Sequence, residues 1–254
     1  NHDTFVGHPP AYMYTAGQQN NLPFNEVQDI NDNGPIAGSL LVNGKYEGCR
    51  YENSIVIPLG FLPGRTQSRA TAINRNGHIA GESWGSYPHA FLHDGAEMVD
   101  LGVPPGCAYD LSVAMALNDG DEVVGYAGSS MNYGAKAFVY TGGRIQNLNN
   151  LVLYGDLAGY RLDTAYDINN AGQIVAVAIH PTLGKKVVLL TRVDRDFDGD
   201  GLKDFDEISQ GLSMYNPDSD GDGVNDGLEV VAGKNPLVAD IWYRQAARTP
   251  RRPA

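Results

Sequence analysis

Several features are missing from this 254-residue sequence, and each absence excludes a class of protein. No apolar run approaches the roughly 18 residues of a membrane-spanning helix, so we predict no membrane span. The two cysteines form no CxxC pair, which leaves zinc ribbons, thioredoxin-type redox sites and c-type haem attachment without support. The motifs HExxH, GxxxxGKS and GxGxxG do not occur either. We therefore predict that the protein is not an enzyme.

Basic residues are also scarce: the sequence has 18 Lys and Arg against 30 Asp and Glu, which gives a net charge of −12. Most of this charge is local, because residues 194–229 hold twelve acidic and two basic residues. A nucleic-acid partner is not expected, since phosphates require a basic face. The basic stretch RQAARTPRRPA lies at 244–254, and we predict that residues 241–254 form a flexible tail.

Cys49 and Cys107 permit one disulfide if the protein is secreted. The alternative is that Cys49 is a small buried apolar residue. Cys49 occupies the place of Phe91 and Phe138 in the repeat described next, which predicts that its side chain points into a core.

A repeat runs through the first 190 residues. Four segments align on a shared asparagine: VQDINDNGPIAG at 27–38, ATAINRNGHIAG at 70–81, AMALNDGDEVVG at 114–125 and AYDINNAGQIVA at 165–176. The asparagines are Asn31, Asn74, Asn118 and Asn169, so successive units are 43 to 51 residues long. A second set of short apolar segments alternates with the first: AYMY at 11–14, GCRY at 48–51, AFLH at 90–93, AFVY at 137–140 and VVLL at 187–190.

Each unit reads as two hairpins. A strand ends at Ile–Asn, a polar turn with glycine follows, and a second strand begins with Ile-Ala or Val-Val; Asn and Gly tolerate the positive φ of tight turns. The third copy departs, because Gly120 comes one position early. Four short strands every 40 to 45 residues are typical of propeller blades. We predict an all-β, propeller-like array of four or five four-stranded blades over residues 1–192, and little helix.

The repeat resembles a known family. His89-Ala90-Phe91 is the tripeptide that names the HAF repeat of bacterial proteins thought to be extracellular, and the INxxGxIVG segments are similar to the same family over roughly residues 11–191. The resemblance implies a propeller-like β fold and no established activity. The tripeptide is intact once, since the other copies read AYM, GCR, KAF and VVL.

Residues 193–240 contain two acidic loops with the complete calcium pattern D-x-D-x-D-G-x5-E, repeated at an interval of 22. Alternate carboxylates, a glycine at position six, a carbonyl at position seven and a glutamate at position twelve supply the oxygen ligands that calcium prefers. We predict two calcium ions, bound through Asp196, Asp198, Asp200, the Leu202 carbonyl, Asp204 and Glu207, and through Asp218, Asp220, Asp222, the Val224 carbonyl, Asp226 and Glu229. Asp194 and Asn216 precede the loops equivalently and are further candidates.

Paired EF-hands are not expected here. VVLLTRV before the first loop reads as a strand, and the Asn-Pro step at 216–217 disfavours a helix before the second. Short exiting helices fit near DFDEISQG and DGLEVVAG. The segment resembles the thrombospondin type 3 repeats of bacterial surface proteins, with dockerin loops as a related pattern. GKNPLVAD at 233–240 begins a third copy of the calcium pattern at Asp240, but the residues that follow, IWYRQ, do not continue it.

Two functions remain open. The first is a non-catalytic secreted or cell-surface protein that contacts other surface or extracellular proteins, glycans or itself, with a calcium-stabilised connector. The alternative is a propeller enzyme or carbohydrate-binding protein with a site in the central channel, for which Glu82, Asp94 and Asp100 are the candidate acids. Four histidines, His78, His89, His93 and His180, are scattered and fit hydrogen-bonding or solvent-facing roles better than a catalytic base.

Overall fold

The computed structural model describes residues 5–6, 11–15, 18–129, 134–152, 157–193 and 195–239. The chain divides into two units, Asn1–Arg192 and Val193–Ala254. The first unit contains every described strand, and the second contains the two α-helices. The prediction of a mostly β fold followed by a small segment with short helices is confirmed. No described helix is both long and apolar enough to cross a bilayer.

The described strands of the first unit form five antiparallel sheets, each a meander in chain order. Sheet 1 contains β1 (Phe5–Val6), β2 (Tyr12–Thr15) and β3 (Gln18–Asn21). Sheet 2 contains β4 (Glu26–Ile30), β5 (Ile36–Val42), β6 (Lys45–Glu52) and β7 (Ile55–Pro58). Sheet 3 contains β8 (Gln67–Ile73), β9 (Ile79–Trp84), β10 (Pro88–His93) and β11 (Met98–Asp100). Sheet 4 contains β12 (Ser112–Leu117), β13 (Val123–Ala127), β14 (Lys136–Thr141) and β15 (Arg144–Asn147), followed by a short 3-10 helix (Leu148–Asn150). Sheet 5 contains β16 (Arg161–Ile168), β17 (Ile174–His180) and β18 (Gly184–Leu190).

The repeat signature has a packing reason at its second glycine. Gly81 in β9 lies opposite Phe91 in β10, and a Cβ at this glycine would lie 2.6 Å from the Phe91 ring and 2.1 Å from the Arg69 carbonyl oxygen. Gly125 and Phe138 repeat the arrangement in sheet 4. Because heavy atoms do not approach so closely, the glycine is required wherever the Phe packs across it. This pair links the IAG or VVG segment to the Ala-Phe segment.

Successive sheets share hydrophobic cores. One cluster joins sheets 1 and 2, a second joins sheets 2 and 3, a third joins sheets 3 and 4, and a fourth joins sheets 4 and 5. Alanine dominates these interfaces, with Phe91 and Phe138 as the largest fully buried side chains. A unit of this size cannot bury both faces of its own sheet, so each sheet depends on its neighbours.

The shared asparagines connect the turns of sheets 2 to 5 in a row, which we call the asparagine ladder. The side-chain nitrogen of Asn31 donates to the backbone carbonyl oxygen of Asn74 at 2.8 Å. The side-chain nitrogen of Asn74 donates to the backbone carbonyl oxygen of Asn118 at 3.0 Å. Asn118 donates in the same way to Asn169 at 3.2 Å. The side-chain oxygen of each asparagine accepts backbone N–H groups within its own turn, two residues ahead in all four. The ladder asparagine therefore both shapes its turn and joins it to the next sheet.

In each turn the residue with positive φ lies three positions after the ladder asparagine, and in three of the four turns it is a glycine. Gly34, Gly77 and Gly172 have φ between 72° and 101°, whereas the ladder asparagines are absent from the positive-φ residues. In the third turn Asp121 takes this backbone conformation, with φ 60°, because Gly120 comes one position early. The carboxylate of Asp121 then accepts a hydrogen bond from Asn74 at 2.8 Å and contacts His78 Nδ1 at 2.8 Å.

The disulfide that the two cysteines permitted does not form, because Cys49 and Cys107 are both free thiols. Cys49 points into the core between sheets 1 and 2, as its position in the repeat predicted. Cys107 packs against the core between sheets 3 and 4, so the two thiols belong to separate cores. Burial raises the pKa of Cys49 to about 11, which keeps it protonated and unreactive at neutral pH.

Candidate metal centre

The first acidic loop folds around the carboxylate of Asp196. Its Oδ1 accepts the backbone N–H of Gly199 at 2.8 Å, and its Oδ2 accepts that of Gly201 at 3.0 Å. Gly201 has φ 97°, so position six needs the backbone freedom of glycine. The second loop repeats this geometry around Asp218, which accepts from Gly221 and Gly223, both at 2.8 Å. The two loops thus share one backbone fold, as their common spacing predicted.

Each loop gathers three aspartates into a cluster. Asp196, Asp198 and Asp200 each present one carboxylate oxygen, and these oxygens lie within 4.8 Å of one another. Asp218, Asp220 and Asp222 form the same cluster in the second loop. The sequence prediction placed these six residues on the metal, and the structure brings each triplet together.

The glutamate at position twelve of each loop is buried. Glu207 lies in α1 (Asp204–Gln210) and Glu229 in α2 (Asp226–Val231), and both side chains are fully buried. Neither carboxylate oxygen of Glu207 accepts a hydrogen bond from any residue that the structure describes. An uncompensated buried carboxylate is costly, so its presence points to a cation.

The pKa shifts in the first loop also indicate a bound cation. Burial, together with the charges of Asp198 and Asp200, raises the pKa of Glu207 to about 7. Burial and neighbouring aspartates also raise the pKa values of Asp198 and Asp220. The clusters therefore concentrate more negative charge than the protein's own donors offset.

The donor set fits calcium. Calcium prefers six to eight oxygen ligands at about 2.3–2.6 Å in a flexible arrangement, and glutamate can bind it through both oxygens. The first loop offers four carboxylates near one point and no histidine or cysteine that would favour zinc.

Position nine holds Asp204 and Asp226, which the sequence analysis predicts as metal ligands. Asp204 Oδ1 accepts the backbone N–H of Phe197 at 2.7 Å. Both oxygens of Asp226 are bound by Ser219, through its backbone N–H at 2.7 Å and its hydroxyl at 2.5 Å. These two aspartates anchor the second residue of their loops to the start of the following helix, and they lie outside the three-aspartate clusters.

The flanking candidates have other roles or fall outside the described residues. Asn216 donates its side-chain N–H to the carbonyl oxygen of Asp218 at 2.9 Å, so it supports the entry to the second loop. Asp194 and the third register at Asp240 lie outside the described residues, as does the basic tail at 241–254.

The two loops contact each other through Gly227, which sequence reasoning missed. Its backbone N–H donates to Asp200 Oδ2 at 2.8 Å, and a Cβ at this position would lie 2.6 Å from the Asp200 carbonyl oxygen. The first loop has Phe205 at the equivalent position. This difference between two otherwise matching loops is the sequence feature that could have indicated the contact.

The structure brings some of the candidate catalytic residues together. His89 Nδ1 contacts the Asp100 carboxylate at 2.9 Å, and its Nε2 lies 3.0 Å from Asp110. His78 contacts Asp121. His93 and His180 accept backbone N–H groups within their own hairpins. Asp94 holds the turn between β10 and β11 by accepting the N–H groups of Ala96 and Glu97. Glu82 is buried within sheet 3, and burial raises its pKa.

Comparison with known proteins gives a family match for the second acidic loop. Residues 218–239 match the family model of the bacterial TSP3 repeat, which confirms the predicted calcium-binding repeat for the second loop. No curated protein matches the sequence. Among solved structures, the crystal structure of TolB from Acinetobacter baumannii is similar with a TM-score of 0.44 and 13% identity. That match covers 72% of this chain and 52% of the TolB chain, so this protein spans about half of that structure.

Proposed function

We propose that this protein is a non-catalytic secreted or cell-surface interaction protein whose residues 193–239 form a calcium-stabilised connector. The observation that carries the proposal is the buried Glu207 carboxylate, which accepts no hydrogen bond from the described residues and lies beside three clustered aspartates. The bacterial TSP3 match to the second loop supports the choice of calcium.

In this proposal each loop binds one calcium ion. The ligands are the three clustered aspartates, the carbonyl at position seven (Leu202 or Val224) and the glutamate at position twelve. Asp204 and Asp226 serve as anchors that hold the loop closed around the ligands. Because the carboxylates repel one another without a cation, calcium binding contributes directly to the folding free energy of this unit.

Extracellular surroundings suit such loops. Calcium sites of extracellular modules typically have dissociation constants of about 10⁻⁴ to 10⁻³ M, which calcium-rich surroundings saturate and cytosol does not. A TSP3-type repeat of the bacterial kind supports the same location.

The first unit supplies the interaction surface in this proposal. We assign its sheets as blades of a propeller-like array that resembles the HAF repeat. The four stacked turns and the cores between successive sheets support this assignment. The histidine contacts support a structural role for those side chains and hence an array without turnover of its own.

Isothermal titration calorimetry with calcium chloride tests the proposal. We expect uptake of two ions per chain at millimolar calcium and weaker uptake of magnesium, which demands a more regular shell. Asp222→Ala should abolish uptake at one loop. Asp200→Ala should reduce uptake at both, because Asp200 also holds Gly227 of the second loop.

The matched control is Asp206→Ala, which removes an exposed acid of α1 that belongs to neither cluster. This variant should bind calcium as the wild type does. Absence of calcium uptake at millimolar concentration, or equal losses in Asp206→Ala and Asp222→Ala, would contradict the proposal.

A further inference from the structure

The last strands of sheets 1 to 4 end in the same way. Each is followed directly by a leucine whose side chain packs in the core shared with the next sheet. Three of these leucines are at most 6% exposed, and the fourth is half-buried. We call them the closing leucines: Leu22, Leu59, Leu101 and Leu148.

A backbone hydrogen bond fixes the closing leucines of sheets 2 and 3. The N–H of Leu59 donates to the carbonyl oxygen of Gly48 at 2.9 Å, and that of Leu101 donates to Ala90 at 3.0 Å. Gly48 and Ala90 are equivalent positions, because each lies on the third strand opposite the residue that follows the second glycine of the repeat signature. The closing leucine therefore binds one defined carbonyl of the neighbouring strand.

The N–H group at the same position is bound by the next sheet. Gly48 donates to the hydroxyl of Ser68, and Ala90 donates to the hydroxyl of Ser112, both at 2.9 Å. The two serines lie at the start of the first strand of sheets 3 and 4. In these sheets both backbone groups that point away from the second strand are thus satisfied.

Sheet 5 lacks these partners among the described residues. Val187 is the equivalent position, because it pairs with Val177, which follows Ala176 in the place of the second glycine. Its carbonyl oxygen accepts no N–H from a turn or loop residue that the structure describes. Strand β18 is the edge of a three-stranded sheet, and Val187 is 71% exposed, whereas Ala90 has no exposed surface.

The fourth strands of the other sheets show what fits at this edge. An exposed edge strand offers a row of unpaired backbone groups to a further strand. In sheets 2 to 4 that strand is short and antiparallel, and its residues follow one pattern: an apolar residue, a variable residue, then Pro, Asp or Asn, and the closing leucine. The three copies are VIPL at 56–59, MVDL at 98–101 and IQNL at 145–148.

We propose that the edge of β18 binds an extended segment of a partner protein that carries this pattern, as an antiparallel fourth strand of sheet 5. The register of the other sheets places its first three residues opposite residues 188–190 and its leucine N–H on the Val187 carbonyl. Main-chain hydrogen bonds supply the affinity. The leucine supplies selectivity by packing on the exposed side chains of Val187 and Leu189. The inference rests on the proposed role of the first unit as an interaction surface and not on calcium binding.

A fluorescently labelled peptide with the sequence of residues 96–102, AEMVDLG, is the probe. Fluorescence anisotropy in millimolar calcium should show saturable binding to the full chain, with a dissociation constant below about 1 mM. The Leu101→Asp version of the peptide should bind about tenfold more weakly or worse, because it cannot bury the closing side chain. Hydrogen exchange with mass spectrometry should show slower exchange of residues 184–190 when the peptide is bound.

Val187→Pro is the variant that blocks the edge. By equivalence with Ala90, the N–H of Val187 points away from β17, so proline removes the outward donor and keeps the pairing with β17. Val187→Ala is the matched control, because it shortens the same side chain and keeps the N–H. The proline variant should raise the dissociation constant about tenfold or more, and the alanine variant no more than about threefold. Circular dichroism checks that both variants are folded.

Several results would overturn the proposal. Equal binding of the two peptides, equal binding by the two variants, or no saturable binding up to roughly 1 mM would each do so. Protection of residues 184–190 without peptide would show that the chain itself fills the position. Dimers of the free chain that Val187→Pro abolishes would show that a second copy fills it. Absence of calcium uptake together with intact peptide binding would contradict the proposed calcium sites alone.

Discussion

In the turns of the first unit an asparagine oxygen accepts backbone N–H groups, and in the loops of the second unit an aspartate oxygen does the same. Asn74 accepts from the residues two and four positions ahead, and Asp196 accepts from those three and five ahead. The asparagine also has an N–H₂ group, which donates to the next turn. The aspartate has no donor, so clustered aspartates cannot satisfy one another. The presence or absence of a side-chain N–H donor thus decides whether a set of such turns or loops needs a cation.

Removing calcium should give the largest difference between the two units. Chelation with EDTA should unfold residues 195–239 and make them sensitive to trypsin or Glu-C, because the clustered carboxylates then repel without compensation. The first unit should keep its protease resistance and its β-type circular dichroism, since its turns are joined by amides. Limited proteolysis with mass spectrometry locates the cuts. Unchanged cleavage within 195–239 after chelation would be evidence against a calcium-dependent unit.

Converting one ladder amide into a carboxylate should give the next largest effect. Asn74→Asp removes the donor to the Asn118 carbonyl and places a negative charge against Asp121. We expect a loss of about 3 kcal/mol in the free energy of unfolding of the first unit, from the lost hydrogen bonds of the side-chain amide and like-charge repulsion. Urea denaturation in millimolar calcium, followed by tyrosine fluorescence, measures it.

Asn169→Asp is the internal control for this comparison. The side-chain nitrogen of Asn169 donates to Gln173 of its own turn, at the exposed end of the ladder. Its replacement should cost under about 1 kcal/mol. Similar losses for the two variants would show that the contacts between turns do not stabilise the array.

Acidification should give the smallest effect, which we expect in calcium binding by the second unit. The raised pKa of Glu207, about 7, means that calcium must displace a proton from this carboxyl at lower pH. Apparent affinity should therefore fall as pH falls below 7, by up to about tenfold per unit for one proton.

The sign reverses without calcium. A carboxyl whose pKa is raised in the folded state stabilises that state while it is protonated, so the calcium-free unit should lose stability as pH rises towards 7. Calorimetry at pH 5.5 and 7.5, in buffers of different ionisation enthalpy, measures the proton release. Glu207→Gln should remove the pH dependence of that loop, and its persistence in this variant would assign the proton to another group.

Much of the second unit could be predicted from the sequence, because its information is local. The spacing of carboxylates around Gly201 and Gly223 fixes which side chains converge within a single turn. The spacing does not show which hydrogen bonds the carboxylates at position nine make. Asp204 and Asp226 are predicted as metal ligands, and the structure adds that each accepts the backbone N–H at position two of its own loop.

The first unit shows the same limit over longer distances. Alternating segments predicted the strands near AFLH and AFVY, and the structure has β10 and β14 there. The ladder contacts join residues 43 to 51 positions apart, which a repeat pattern permits and does not require. The question of a disulfide was also not decided by the sequence. The spacing of Cys49 and Cys107 does not show that their side chains lie in separate cores.

The asparagine ladder also bears on how such a chain can lengthen by gene duplication. Each turn carries both halves of the contact, a donor on the asparagine side chain and an acceptor on its own backbone, and the contacts all run in one direction along the chain. A duplicated unit of about 43 residues brings a complete set with it and can be inserted between any two turns without a compensating mutation. The ladder therefore sets the polarity of the units and leaves their number open to selection.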